Sequence, residues 1–168
     1  AAEAVMGFFT KFGDGAAAAL VTASGPGLSI EDPFAASLPN SGELIRWTIG
    51  DQGFAMHLSG KVPGRIADAL REPGLRNALT GGRDPHEIDG WAVHAGGRSI
   101  LDAVSQSLGL DDDALDISRA VLRDHGNMSS STLMFALAGF LSRPVGNGVA
   151  LAFGPGLAAE GFRFGRTG

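Results

Sequence analysis

Apolar positions along the chain follow two periods. At helical spacing stand Ile66, Ala69 and Leu70 within Val62 to Arg71, with Pro73-Gly74 as the stop. Arg98 to Leu108 carries Ile100, Leu101, Val104 and Leu108 on one face, and Gly109 is its C-terminal stop. Asp111-Asp112-Asp113 offers carboxylates to the start of a helix that runs to about Asp124 and ends at Gly126. Ser129 to Arg143 reads as a further helix with Leu133, Phe135, Leu137 and Phe140, broken by Pro144 and Gly146-Asn147-Gly148. Residues 1 to 12 also read as helix, stopping at Phe12-Gly13-Asp14-Gly15.

Shorter apolar runs between turn residues predict strands. Ala16 to Ala23 (AAAALVTA) reads as a buried strand, as does Gly90 to His94. Glu43 to Gly50 and Gly53 to Ser59 flank Asp51-Gln52, a hairpin pattern. Val149 to Phe153 and Gly161 to Phe164 flank the turn Gly154-Pro155-Gly156. Ser24 to Gly42, with Gly25-Pro26-Gly27, Pro33 and Pro39, reads as loop, and Arg83 to Asp89 as a polar connector. The mixture predicts one α/β domain over residues 1–168, without internal repeats.

Composition sharpens this picture. With 44% hydrophobic and 18% charged residues, 168 residues bury a core without staples. A net charge of −5 and the lack of a Lys/Arg cluster speak against nucleic acid. No apolar run approaches the roughly 20 residues of a membrane span. The opening Ala1-Ala2-Glu3-Ala4-Val5-Met6 resembles the middle of a helix, so the chain is expected to begin in mid-protein. Zero cysteines exclude disulfides, thiolate metal sites and a thiol nucleophile within the chain. No histidine pair has metal-ligand spacing and no HExxH occurs, so no metal is expected.

Candidate chemistry centres on two glycine-rich turns. His94 ends a short strand ahead of Gly96-Gly97 and a helix, and Asn127 lies between Gly126 and Ser129-Ser130-Ser131. A neutral imidazole N–H and a carboxamide N–H₂ are uncharged donors that together can bind one developing oxyanion, such as an enolate or a thioester oxygen. The plainer alternatives are a histidine bonding a backbone carbonyl and an asparagine acting as an ordinary N-cap. His57 in a strand, His86 in the connector and His125 at a helix end read as structural or solvated. Asp14, in Gly13-Asp14-Gly15, could be a base, although an aspartate there more often bonds its own turn. Gly154-Pro155-Gly156 is not a phosphate loop, because a strand rather than a helix follows it.

Several stretches carry a family resemblance. Trp91–Gly109 (WAVHAGGRSILDAVSQSLG), Ser118–Thr132 (SRAVLRDHGNMSSST) and Leu151–Gly161 (LAFGPGLAAEG) resemble the C-terminal half of type III polyketide synthases. These form the chalcone and stilbene synthase family of the thiolase superfamily. Phe12–Leu20 (FGDGAAAAL) and Phe54–Gly64 (FAMHLSGKVPG) fit the same half in the same order. The resemblance implies the C-terminal half of a thiolase-like fold, a five-stranded mixed sheet with packed helices. It makes His94 and Asn127 the catalytic pair that holds the malonyl thioester oxygen, with His94 also keeping a cysteine as thiolate. That cysteine, and the basic residues gripping coenzyme A, would lie in an N-terminal half absent from this chain.

The same resemblance assigns Ser129 to a cavity wall, Phe153, Gly154, Pro155 and Gly156 to a loop shaping the cyclisation pocket, and Phe34 to the pocket mouth. Ala95 departs from the family in replacing a common proline. The implied activity is acyl transfer followed by decarboxylative condensation and cyclisation. Acyl-CoA and malonyl-CoA are its substrates, and no bound cofactor is implied. The implied partners are the N-terminal half and a second copy in a homodimer, in the cytoplasm. The isolated chain is expected to be inactive and, with an apolar face uncovered, to self-associate. A ketoacyl synthase half and a non-catalytic thiolase-fold dimerisation module are the alternatives.

Overall fold

The structure is a computed structural model describing residues 12–167. All but the last residue of the helix expected over residues 1–12 lies outside these. Among the described residues four strands form the main sheet: β2 (Glu31–Ser37), β7 (Ala158–Phe164), β6 (Gly148–Gly154) and β5 (Gly90–Val93), adjacent in that order. β5 and β6 are parallel, whereas β6–β7 and β2–β7 are antiparallel. A two-residue pair joins β1 (Gly27–Leu28) to β8 (Arg166–Thr167), and β3 (Ile45–Gly50) and β4 (Gly53–Leu58) make a separate hairpin. The helices are α1 (Val62–Arg71), α2 (Pro73–Thr80), α3 (Arg98–Leu108), α4 (Asp116–His125) and α5 (Ser130–Ala138).

The sheet is covered on both faces, which is why β5 and the first part of β6 are apolar without alternation. Trp91, Val93, Val149 and Leu151 point to one side, into a core with Ile66, Leu70, Leu101, Val104 and Leu108 of α1 and α3. Ala92 and Ala150 point to the other, where their small side chains pack with Val121 of α4, Ala136 of α5, and Phe140 and Phe164. β5 is an edge strand whose outer side is closed by a side chain. The Val93 amide donates to the buried Ser118 hydroxyl of α4 at 2.9 Å.

Four sequence expectations are corrected. Ala16–Ala23 is neither strand nor buried: Leu20 and Val21 are 91% and 76% exposed. A strand needs a neighbour for its backbone groups, and among the described residues Ala16–Ala23 has no ladder partner. Among the described residues four strands, not five, therefore form the main sheet. Ser24–Gly42 is not all loop, since it contains β1 and β2. Pro33 is accommodated because β2 is an edge strand with a register irregularity between Glu31 and Phe34. α1 stops ahead of Pro73 as expected, and Pro73 in turn begins α2, since proline at the first turn costs a helix nothing. α5 stops at Ala138 rather than Arg143, with Gly139 at its end.

The hairpin is two-faced. Ile45, Trp47 and Ile49 stand opposite Leu58, Met56 and Phe54, so one face is wholly apolar, while Arg46 and His57 share the other. Ile45 is buried at its root, yet Ile49 and Phe54 near the tip are 78% and 69% exposed.

Ser118→Ala leaves the Val93 amide buried without its acceptor. It is expected to lower unfolding free energy by about 1–3 kcal/mol, read as a shifted urea midpoint at unchanged slope.

Candidate functional site

The C-terminal end of β5, paired in parallel with β6, places the His94 turn, whereas the Asn127 turn lies in the loop between α4 and α5. The last ladder bond of this pair runs from the His94 amide to the Leu151 carbonyl at 2.8 Å. The chain then turns sharply, the Gly96 amide donating to the His94 carbonyl at 3.0 Å, and α3 begins after Gly97. The turn lays the imidazole beside Gly96: a methyl group added there would sit 3.7 Å from Nε2, ordinary contact. His94 is partly buried, and burial pushes its pKa below the ordinary 6.5 because the cation loses hydration. The ring is therefore neutral at pH 7, an N–H donor with one free lone pair.

Asn127 reaches the same turn from the other side. It is buried in the loop between α4 and α5. Its Oδ1 accepts from the Ser129 amide at 2.9 Å, which fixes the carboxamide and leaves Nδ2 as the donor on its other side. Nδ2 donates to the Gly96 carbonyl at 3.4 Å. His94 and Asn127 thus both lie against Gly96, the juxtaposition that sequence could only suggest. The loop is braced from within by a bond of 2.8 Å from the Met128 amide to the buried Thr132 hydroxyl.

Ser129 is exposed, with φ 57° and ψ −132°. For a residue other than glycine that backbone costs on the order of 1–3 kcal/mol and persists only where its surroundings over-determine it. Gly154, Pro155 and Gly156 follow Leu151 by a few residues and so stand at the same end of the sheet as His94. Their turn reverses β6 into β7, with φ 75° at Gly156 and φ 50° at Leu157. Phe153 is partly buried opposite Ala159, and β3 packs against the turn Pro155–Leu157.

Phe34 stands apart. It lies in β2 with its ring over Gly161, where a Cβ would come within 2.8 Å of it. It shares a row with Gly161, Leu151 and Val93. Three strand spacings of about 4.8 Å separate it from β5. Sequence reasoning passed over Ser118 and Thr132, whose hydroxyls support β5 and the Asn127 loop. Their only signal is a small hydroxyl on the buried face of a helix. Among the described residues no three His, Asp or Glu side chains gather as metal ligands.

Residues 33–165 match the family described as chalcone and stilbene synthases, C-terminal domain. Solved structures agree. The chain is similar to 1,3,6,8-tetrahydroxynaphthalene synthase from Streptomyces coelicolor, a bacterial type III polyketide synthase, with 29% identity and a TM-score of 0.76 over 86% of this chain and 42% of that one. It is similar to the C-terminal type III polyketide synthase domain of Steely1, a type I/III hybrid from Dictyostelium, at 25% identity and TM-score 0.74, covering 83% of this chain and 40% of that one. PKS-I from the brown alga Ectocarpus siliculosus matches at 28% identity and TM-score 0.73, again over 83% and 40%. The chain thus spans less than half the length of each of these relatives.

The depressed pKa of His94 has a measurable sign. Below pH 6.5 the unfolded chain binds a proton that the folded site resists. The stability this group contributes is therefore complete above pH 6.5 and is lost as pH falls through the folded value, by at most about 1.4 kcal/mol per pH unit. In denaturation midpoints between pH 7.5 and 5, His94→Gln is expected to flatten that loss relative to the wild type. Parallel curves would place the imidazole in solvent.

Proposed function

The chain belongs to the chalcone and stilbene synthase family, and on that premise we propose that it supplies the oxyanion-binding half of a type III polyketide synthase active site. The observation that carries this reading is the common seat of His94 and Asn127 at Gly96.

In the proposed reaction a starter acyl group is transferred from coenzyme A to a cysteine thiolate outside this chain. Malonyl-CoA then loses carbon dioxide: the bond between carboxylate and methylene carbon breaks, and its electron pair moves into the thioester as an enolate. The His94 N–H and an Asn127 Nδ2 hydrogen donate to that oxygen as its charge grows, in a partly dehydrated place where such bonds are strong. The enolate carbon attacks the acyl thioester and the cysteine thiolate leaves. Ser129 and the Phe153–Gly156 turn would line the space where the chain grows and closes. Phe34, three strands away, would bear on the outer part of that space.

The apolar hairpin face and the exposed pair Leu20-Val21 support a second element of this reading. They offer a surface for the thiol-bearing half of the fold, and exposed apolar patches of this kind rarely stay bare. By light scattering the isolated chain is expected to self-associate. A monodisperse monomer would remove this element.

The chemistry is tested in a protein that joins this chain to a cysteine-bearing N-terminal half. His94→Ala and Asn127→Ala are each expected to lower kcat for malonyl-CoA decarboxylation by about 10²–10³, with the double variant well short of the product of the two. Unchanged rates would end the assignment. The 168-residue chain alone, given labelled malonyl-CoA and a starter acyl-CoA, is expected to form no polyketide.

A further inference from the structure

Asn127 is held from a direction that neither flanking helix supplies. Residues 12–15 run alongside the loop after α4. Phe12 forms a parallel bridge with Asn127, and the Gly13 amide donates to the Asn127 carbonyl at 2.9 Å. The Ser131 hydroxyl donates to the Gly15 carbonyl at 3.1 Å. The approach is close enough to demand glycine. A Cβ on Gly13 would collide with the carbonyl oxygen of His125, a backbone atom in the last turn of α4. A Cβ on Gly15 would collide with the Met128 side chain, which is itself buried. Asp14 between them is exposed. Residues 13 and 15 thus face the loop and residue 14 faces away, the two-residue alternation of an extended segment.

We propose that Phe12–Gly15 is a strap that sets the position of Asn127, with Gly13 and Gly15 as positioning residues for its carboxamide. The proposal rests on the reading of Asn127 as an oxyanion donor. The physical argument lies in Ser129. Its amide fixes the Asn127 carboxamide, yet its own backbone is in a conformation that survives only under outside constraint. The strap supplies constraint on both sides of it, through the Asn127 carbonyl before and the Ser131 hydroxyl after. Without the strap Ser129 is free to relax, and the Asn127 Nδ2 leaves Gly96 and His94.

Two variants test this, each with two readouts. Gly13→Ala forces the strap off the loop, and Ser131→Ala removes one bond while leaving the packing intact. In the 168-residue chain labelled with ¹⁵N-asparagine, both are expected to shift the Asn127 side-chain amide signals, Gly13→Ala more strongly. In the protein joined to a cysteine-bearing half, Gly13→Ala is expected to lower kcat for decarboxylation by about 100-fold with KM nearly unchanged, the effect of a misplacement of roughly 1 Å. Ser131→Ala should lower kcat by a smaller factor with the same pattern, and Ser130→Ala should leave signals and rate as they are. Should Gly13→Ala fail to fold, Ser131→Ala decides.

Asn127 signals and kcat at wild-type values in Ser131→Ala, and in Gly13→Ala where it folds, overturn the strap. If the signals move but Asn127→Ala leaves decarboxylation intact, the strap stands and the catalytic reading of Asn127 falls.

Discussion

One carboxamide joins two turns that are distant in sequence. Asn127 takes the Ser129 amide on its oxygen and gives its nitrogen to the Gly96 carbonyl. The first bond decides which atom of the amide serves as donor, and the second brings that donor to Gly96, against which the imidazole also lies. Neither is strong, since a single neutral hydrogen bond is worth about 1 kcal/mol net. Their effect is geometric, so the surrounding structure must carry the cost of holding both turns still.

The layered core carries it. Ala92 and Ala150 keep one face of the sheet low, so that α4 and α5 approach closely and the loop between them reaches the end of β5. On the opposite face Trp91, Val93, Val149 and Leu151 fill the deeper space under α1 and α3. Among the described residues the edge of β5 is finished by the Ser118 hydroxyl and not by another strand. A buried amide left open there would favour pairing with a further strand or fraying, and either would move His94, the next residue.

Much of this was legible in the chain, and the failures share a cause. The periodicity of Val62–Arg71 and of Arg98–Leu108 reflects a buried stripe that each helix needs wherever it packs, so α1 and α3 could be read locally. Ala16–Ala23 is as apolar as a core strand, but whether it becomes one depends on a neighbour that the segment itself does not specify. β2 was hidden for the converse reason: Pro33 is a breaker only where a ladder needs its N–H, and an edge strand has a side that does not. At the site, each glycine-rich turn was visible alone, whereas their meeting at Gly96 is tertiary. Gly13 and Gly15 looked like a simple helix stop because close approach of another loop leaves no mark beyond the missing side chain.

The protonation of His94 depends on what shares its site. In this chain burial is the cause that acts on it, and it favours the neutral ring. In the proposed enzyme a thiolate nearby would act in the opposite sense, because an anion raises the pKa of a neighbouring imidazole. The ring would then stand between two demands, cation beside a thiolate and N–H donor beside an enolate. Both protonation states carry an N–H, so the proposed oxyanion role would survive either one, whereas the neutral ring would accept the thiol proton and the cation so formed would hold the thiolate. The asparagine has no such ambiguity, since its amide does not titrate. In the proposed enzyme, one donor that changes charge and one that cannot would make a pair in which the first would answer to the nucleophile while the second would hold the oxygen throughout. The second would therefore depend on position alone, and its loop is bonded at Ser129, Thr132 and the residue 12–15 segment.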